Sequence, residues 1–123
     1  MAKANLVSKK VKMAYRDIIQ YQLMTYCFME NIKLSDNELS CLTLLGAYGD
    51  YELSDFCNSA VEEKIFKTPQ TVRNFLTKAT KLKLVDKNGT NKKKISLNNN
   101  LKIQTKGTIV LDFKLFYIAT QEQ

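Results

Sequence analysis

Residues 52–98 read ELSDFCNSAVEEKIFKTPQTVRNFLTKATKLKLVDKNGTNKKKISLN, and the second half of this stretch decides the fold. Thr68-Pro69 is a helix start: threonine serves as N-cap, and proline stands at the first helical position, where its missing N–H costs nothing. The spacing predicts a helix over residues 69–83. At about 100° per residue, Val72, Phe75, Leu76, Ala79 and Leu82 fall on one side. Gln70, Asn74, Thr77 and Lys81 point the opposite way, with Arg73 and Lys78 on the flanks. Leu84-Val85-Asp86 then begins a strand, Asn88-Gly89 offers a turn, and Lys94-Ile95-Ser96-Leu97 returns as a second strand. A sharply two-faced helix therefore runs straight into a hairpin.

Working upstream, Ser54 can cap a further helix carrying Phe56, Ala60, Val61 and Ile65 on one face. Before it, Ser35 with Glu38 three residues on has the spacing of a capping box. Leu39, Leu42, Leu45 and Tyr48 follow at helical steps, Leu44 widens the stripe, and Gly46 and Gly49 mark where the helix weakens and ends. Residues 13–31, MAYRDIIQYQLMTYCFMEN, read as one more helix on the steps of Tyr15, Ile18, Ile19, Leu23, Tyr26 and Cys27. Their aromatic and β-branched content is also compatible with a strand. Residues 1–12 form a polar, basic lead-in. Downstream of the polar Asn98–Asn100 stretch, Thr108–Ile118 alternates as a strand, with Ile109, Leu111, Phe113, Leu115 and Tyr117 on one face. The other face ends in Phe116 and Ile118, which are expected to be covered by residues 13–31 or by a second subunit. The expected class is α+β, mainly α, as a single domain over 1–123.

The stretch over residues 52–98 resembles the helix, recognition helix and wing of the winged helix-turn-helix DNA-binding superfamily. The matching positions are Thr68, Thr71-Val72, Leu76 and Leu84-Val85, and KLSDNELSCLTLLGAYG (residues 33–49) is similar to the first helix of that module. The resemblance implies a winged-helix core over 34–98, a basic N-terminal extension with a helix over 1–33, and an appended C-terminal strand within 99–123. It implies double-stranded DNA as partner and a small transcriptional or replication regulator of bacterial or phage origin as function. On that reading the N-terminus of the 69–83 helix, with Thr68 and Thr71, presents N–H groups to phosphate. Gln70, Asn74 and Arg73 reach adenine or guanine edges, beside Thr77. Lys78 and Lys81, with the wing lysines Lys92, Lys93 and Lys94, grip phosphate. Three features depart from the pattern: Lys83 stands where a glycine is usual, the wing tip holds no arginine, and the chain closes on an apolar strand rather than a dimerising helix.

Charge supports a polyanion partner. The net charge of +7 is segregated: +4 over residues 1–33, −6 over 34–66, +10 over 67–106, and −1 over 107–123. A basic block of that density is the footprint of nucleic-acid binding. The bases are lysine except for Arg16 and Arg73, which is also the usage an AT-rich genome produces.

Other functions find little footing. No stretch approaches the roughly 18 apolar residues that span a membrane, and the basic N-terminus lacks an apolar segment of the signal-peptide kind. A cytoplasmic protein is expected. Cys27, Cys41 and Cys57 are widely spaced and the chain has no histidine, so buried free thiols are expected, with no metal and no cofactor. Glu62 and Glu63 diverge on a helix and no base stands ready to activate a nucleophile, so no enzyme is expected. The alternative function is a non-catalytic structural or interaction module of a phage particle or nucleoprotein assembly, virion-borne in the former case. Its homo-oligomer or protein contacts would use residues 13–31 and 108–118.

Overall fold

A computed structural model describes residues 3–5, 14–105 and 116–118. Helix α1 (Tyr15–Met29) forms where the apolar steps predict it and buries Ile19, Leu23 and Cys27, one residue per turn along one face, while Tyr15, expected on that face, is 48% exposed. Helix α2 (Asp36–Tyr48) starts on the expected capping box: Ser35 Oγ accepts from the Glu38 N–H at 3.2 Å, and Glu38 Oε1 accepts from the Ser35 N–H at 2.9 Å. Cys41, Leu42, Thr43, Leu44 and Leu45 are all buried, so α2 is the central helix, covered on nearly every side. Thr43 satisfies its hydroxyl on the Leu39 carbonyl at 2.9 Å.

Gly46 does not weaken α2, contrary to the expectation. It is where α2 is approached most closely, since a Cβ there would stand 2.8 Å from Ile19 Cγ2 and 2.9 Å from Leu97 Cδ1. The helix ends at Gly49, whose φ of 81° a side chain would resist.

Strand β2 (Tyr51–Glu52) leads directly into helix α3 (Leu53–Glu62). Ser54 is therefore inside α3 and is not its cap. Helix α4 (Pro69–Lys81) opens as predicted, with Thr68 Oγ1 accepting from the Thr71 N–H at 3.2 Å. Val72, Phe75, Leu76 and Ala79 are buried, but Leu82 lies past the last helical turn and is 37% exposed. The helix is shorter than 69–83 because Lys83 turns left-handed, with φ 62°. The Lys83 N–H bonds to the Thr80 carbonyl and the Leu84 N–H to the Ala79 carbonyl, which together make a Schellman motif.

Strands β3 (Val85–Asn88) and β4 (Lys94–Leu97) pair antiparallel from Val85↔Leu97 to Asn88↔Lys94. Asn88 is therefore a strand residue, and the expected Asn88-Gly89 turn is instead a loop over residues 89–93. Gly89 (φ 81°) opens it and a 3-10 turn, Thr90–Lys92, fills it. Strand β2 adds to the other edge of β4 through Tyr51↔Ile95 and Glu52↔Lys94, giving the sheet order β2-β4-β3.

Two short strands, β1 (Lys3–Asn5) and β5 (Phe116–Ile118), pair antiparallel in register Lys3↔Ile118 and form a second sheet. Strand β1 falls in the lead-in that the pattern left without structure. Of the strand expected over Thr108–Ile118, the described part is β5; the remainder, and the covering of Phe116 and Ile118, lie outside the described residues. One buried cluster runs from Ile19 through α2, α3 and α4 to Ile95 and Leu101. The Gln22 side chain ties α1 to the chain after β4, with Nε2 donating to the Gln104 carbonyl at 2.6 Å and Oε1 accepting from its N–H at 2.7 Å. The order α2-β2-α3-α4-β3-β4, with α1 before it and β5 after it, is an α+β, mainly helical winged helix.

Candidate nucleic-acid interface

The apolar side of α4 anchors the helix, and the polar side is consequently held outward. Gln70, Thr71, Asn74, Thr77, Lys78 and Lys81 are exposed, and Arg73 is half-buried. These side chains are not equally free. Gln70 Nε2 donates to Asn74 Oδ1 at 2.9 Å, one turn along the same face. Thr77 Oγ1 donates to the Arg73 carbonyl at 3.0 Å, and the Thr68 and Thr71 hydroxyls lie 2.9 Å apart at the helix start. Of the residues expected at base edges, the structure joins Gln70 and Asn74 on one outward face with Thr77 beside them, and Lys81, expected at phosphate, is exposed one turn further on.

The two flanking bases are engaged with the rest of the fold. Arg73 Nη2 donates to Ser54 Oγ on α3 at 3.0 Å, and Lys78 Nζ lies 3.1 Å from Glu38 Oε2 on α2. Glu38 therefore uses one carboxylate oxygen to cap α2 and the other to hold α4. Partial burial pushes its carboxyl up, but the Ser35 N–H and the Lys78 ammonium outweigh this and its pKa lies below the ordinary value. Neither Ser54 nor Glu38 was legible as part of the site, since each contacts α4 across a long sequence separation. Lys67 is a further exposed base beside the helix start, and its position just before the N-cap could have signalled it.

The wing supplies the second element. Lys92, Lys93 and Lys94 are exposed, two in the loop and one at the base of β4. The wing root is fixed to α3, because the Leu53 N–H donates to the Lys93 carbonyl at 2.7 Å. Among the described residues no carboxylate lies within ion-pairing distance of Lys81, Lys92, Lys93 or Lys94.

Away from this surface, Arg16 makes a two-pronged pair with Glu63, at 2.7 and 3.3 Å, and the Tyr48 hydroxyl donates to the same carboxylate at 3.4 Å. The Arg16 hydrogen bond holds the Glu63 carboxyl below its ordinary range. All three cysteines are buried and free, as expected. Burial raises each thiol, that of Cys41 to about 12. No three His, Cys, Asp or Glu side chains among the described residues are grouped so as to hold a metal ion. No helix among them is long and apolar enough to cross a membrane. A cleft of about 410 Å³ behind the wing, between Gly46, Leu97 and Ile103, has Asp50 and Lys102 as its charged lining among the described residues.

No known protein family matches the chain, and no curated protein matches it. Among solved structures it is similar to a zinc uptake regulator complexed with zinc and DNA, with a TM-score of 0.58 and 20% sequence identity over 76% of this chain. The chain spans 62% of that protein's length. The likeness is one of fold, and the fold shared is the winged helix.

Proposed function

We propose that this chain is a non-enzymatic DNA-binding protein, a small cytoplasmic regulator of transcription or replication, that seats α4 in the major groove and its wing on the backbone. The observation that carries the reading is the outward face of α4, polar and basic from Gln70 to Lys81, together with Lys92, Lys93 and Lys94 of the wing, three lysines that make no ion pair among the described residues. A solvated surface has no need to keep its like charges together, whereas a phosphate backbone rewards it by counterion release. The structural neighbour was captured with DNA, which agrees with this use of the fold. Its zinc is not carried over, because this chain has no histidine and its three thiols are buried and not grouped with other ligands among the described residues.

A salt titration tests the reading. With four to six phosphates contacted, the log–log slope of affinity for duplex DNA against salt is about −3 to −6. Absence of binding in fluorescence anisotropy at low salt refutes it. A second reading, a protein-binding module, is favoured by α1, which leaves Phe28 84% exposed, Met29 75% and Met24 52%. Light scattering with and without duplex separates the two: a monomer that binds DNA supports the first, and an oligomer indifferent to DNA supports the second.

A further inference from the structure

The groups that α4 leaves free restrict which base it can recognise. Guanine presents two acceptors in the major groove, N7 and O6, and its usual partner is a side chain with two parallel donors. The one arginine of α4, Arg73, is half-buried and is drawn toward α3 by donating one Nη2 hydrogen to Ser54 Oγ. Lys78 is committed to Glu38. Lys81 lies seven residues, about 10 Å, beyond Asn74 along the helix. Adenine presents one acceptor, N7, and one donor, the N6 amino group, and its complement is a carboxamide.

Two carboxamides occupy adjacent turns of the outward face, and they are bonded to each other. With Gln70 Nε2 on Asn74 Oδ1, the Asn74 oxygen retains one lone pair and its Nδ2 both hydrogens. An acceptor and a donor then stand side by side on a group whose orientation is held by a neighbour. The hydroxyl proton of Thr77, next on the same face, is spent on the Arg73 carbonyl, so its hydroxyl can only accept and its methyl group is free for the thymine methyl of an A·T pair.

We propose that α4 reads adenine in duplex DNA through this coupled amide pair, with Asn74 as the base-contacting residue and Gln70 as the residue that positions it. The inference rests on the DNA-binding reading above and adds the base. It also assigns Arg73 to holding α4 on α3 instead of reading guanine.

The test is a selection from randomised duplexes, followed by anisotropy on the selected site, on that site with each adenine changed in turn to guanine, and on that site with each adenine changed in turn to 7-deazaadenine, which lacks N7. Wild type is expected to select an invariant adenine and to lose about 5- to 150-fold on either change, the range of one bidentate contact. Asn74→Ala is expected to bind the selected site and its 7-deaza form equally. Gln70→Ala is expected to lower the adenine-to-guanine ratio, and adding it to Asn74→Ala is expected to change that ratio no further, an outcome that a merely structural effect would not produce. Both side chains are exposed, and unchanged melting temperatures show that the variants fold. Selection of guanine, selection of nothing, or an adenine preference that survives Asn74→Ala overturns this inference while leaving DNA binding in place. Failure to bind any duplex overturns both.

Discussion

Replacing Lys83 by glycine should stabilise this protein, and the size of the gain follows from one dihedral angle. Lys83 has φ 62° and closes α4 in a Schellman motif, its N–H on the Thr80 carbonyl and the next N–H on Ala79. A side chain in the left-handed region costs about 1–2 kcal/mol, which glycine avoids. Against this stand roughly 0.5–1 kcal/mol for the greater freedom of glycine in the unfolded chain and a few tenths for losing a cation at a helix C-terminus. The net is a stabilisation of about 0.5 kcal/mol, which for a domain of this size raises the melting temperature by about 2–3 °C. Thermal unfolding followed by circular dichroism measures it. Lys81→Gly, two residues earlier and inside α4, serves as the control and should lower the midpoint, because there glycine gives up helix propensity without relieving strain. A Lys83→Gly midpoint at or below that of the wild type would refute the claim that strain at this position is what distinguishes the two lysines.

Three other perturbations test separate parts of the structure. Gly46→Ala should lower the melting temperature despite a helix-propensity gain of about 1 kcal/mol, because its Cβ would meet Ile19 and Leu97 at under 3 Å and overpacking of that kind costs about 1–3 kcal/mol; a rise would show that the contact relaxes freely. Glu38 and Glu63 both have lowered pKa values, so the stability they contribute is present above the ordinary carboxylate range, near pH 4.5, and is lost as pH falls through their folded values. Melting curves from pH 6 to pH 3 should therefore fall less steeply in Glu38→Gln than in the wild type, and parallel curves would contradict the assignment. Replacing Lys92, Lys93 and Lys94 together by alanine should weaken binding to every duplex alike and reduce the magnitude of the salt slope by up to about 3; a loss confined to one sequence would mean that the wing reads bases.

Helices α2 and α4 were legible because each announced itself locally. Ser35 with Glu38 and Thr68 with Pro69 are start signals that need only neighbouring residues, and both caps form as read. The buried face of α4 follows from a 3.6-residue period with no tertiary information, except at Leu82, where the left-handed turn at the next residue ends the helix. What was not legible depends on distant partners. Strand β2 is two residues long, too short for any period, and exists because β4 offers it an edge. The role of Gly46 requires knowing that Ile19 and Leu97 converge on it. In the same way the outward face of α4 could be listed from the sequence, but which of its bases remain free could not, since Ser54 and Glu38 reach it from 19 and 40 residues away.

That last distinction gives the segregated charge a second use. The acidic block over residues 34–66 is not simply the neutral back of a basic protein: Glu38 takes Lys78 from the basic block after it, and Glu63 takes Arg16 from the basic block before it. Both pairs are partly exposed, and such pairs contribute at most about 1 kcal/mol, so stability is not a sufficient reason for them. Orientation is. With Lys78 drawn toward α2 and Arg73 toward α3, α4 is steadied on both flanks, and its two flanking charges are held toward the protein. The strip left between them, Gln70, Asn74 and Thr77, is uncharged, and the lysines without an ion pair among the described residues sit beyond it at Lys81 and on the wing. A helix that carried its charges at its centre would grip any duplex before its amides could discriminate. On the proposed DNA-binding reading, placing the charge at the periphery would separate affinity, supplied by the wing, from selection, left to the uncharged strip.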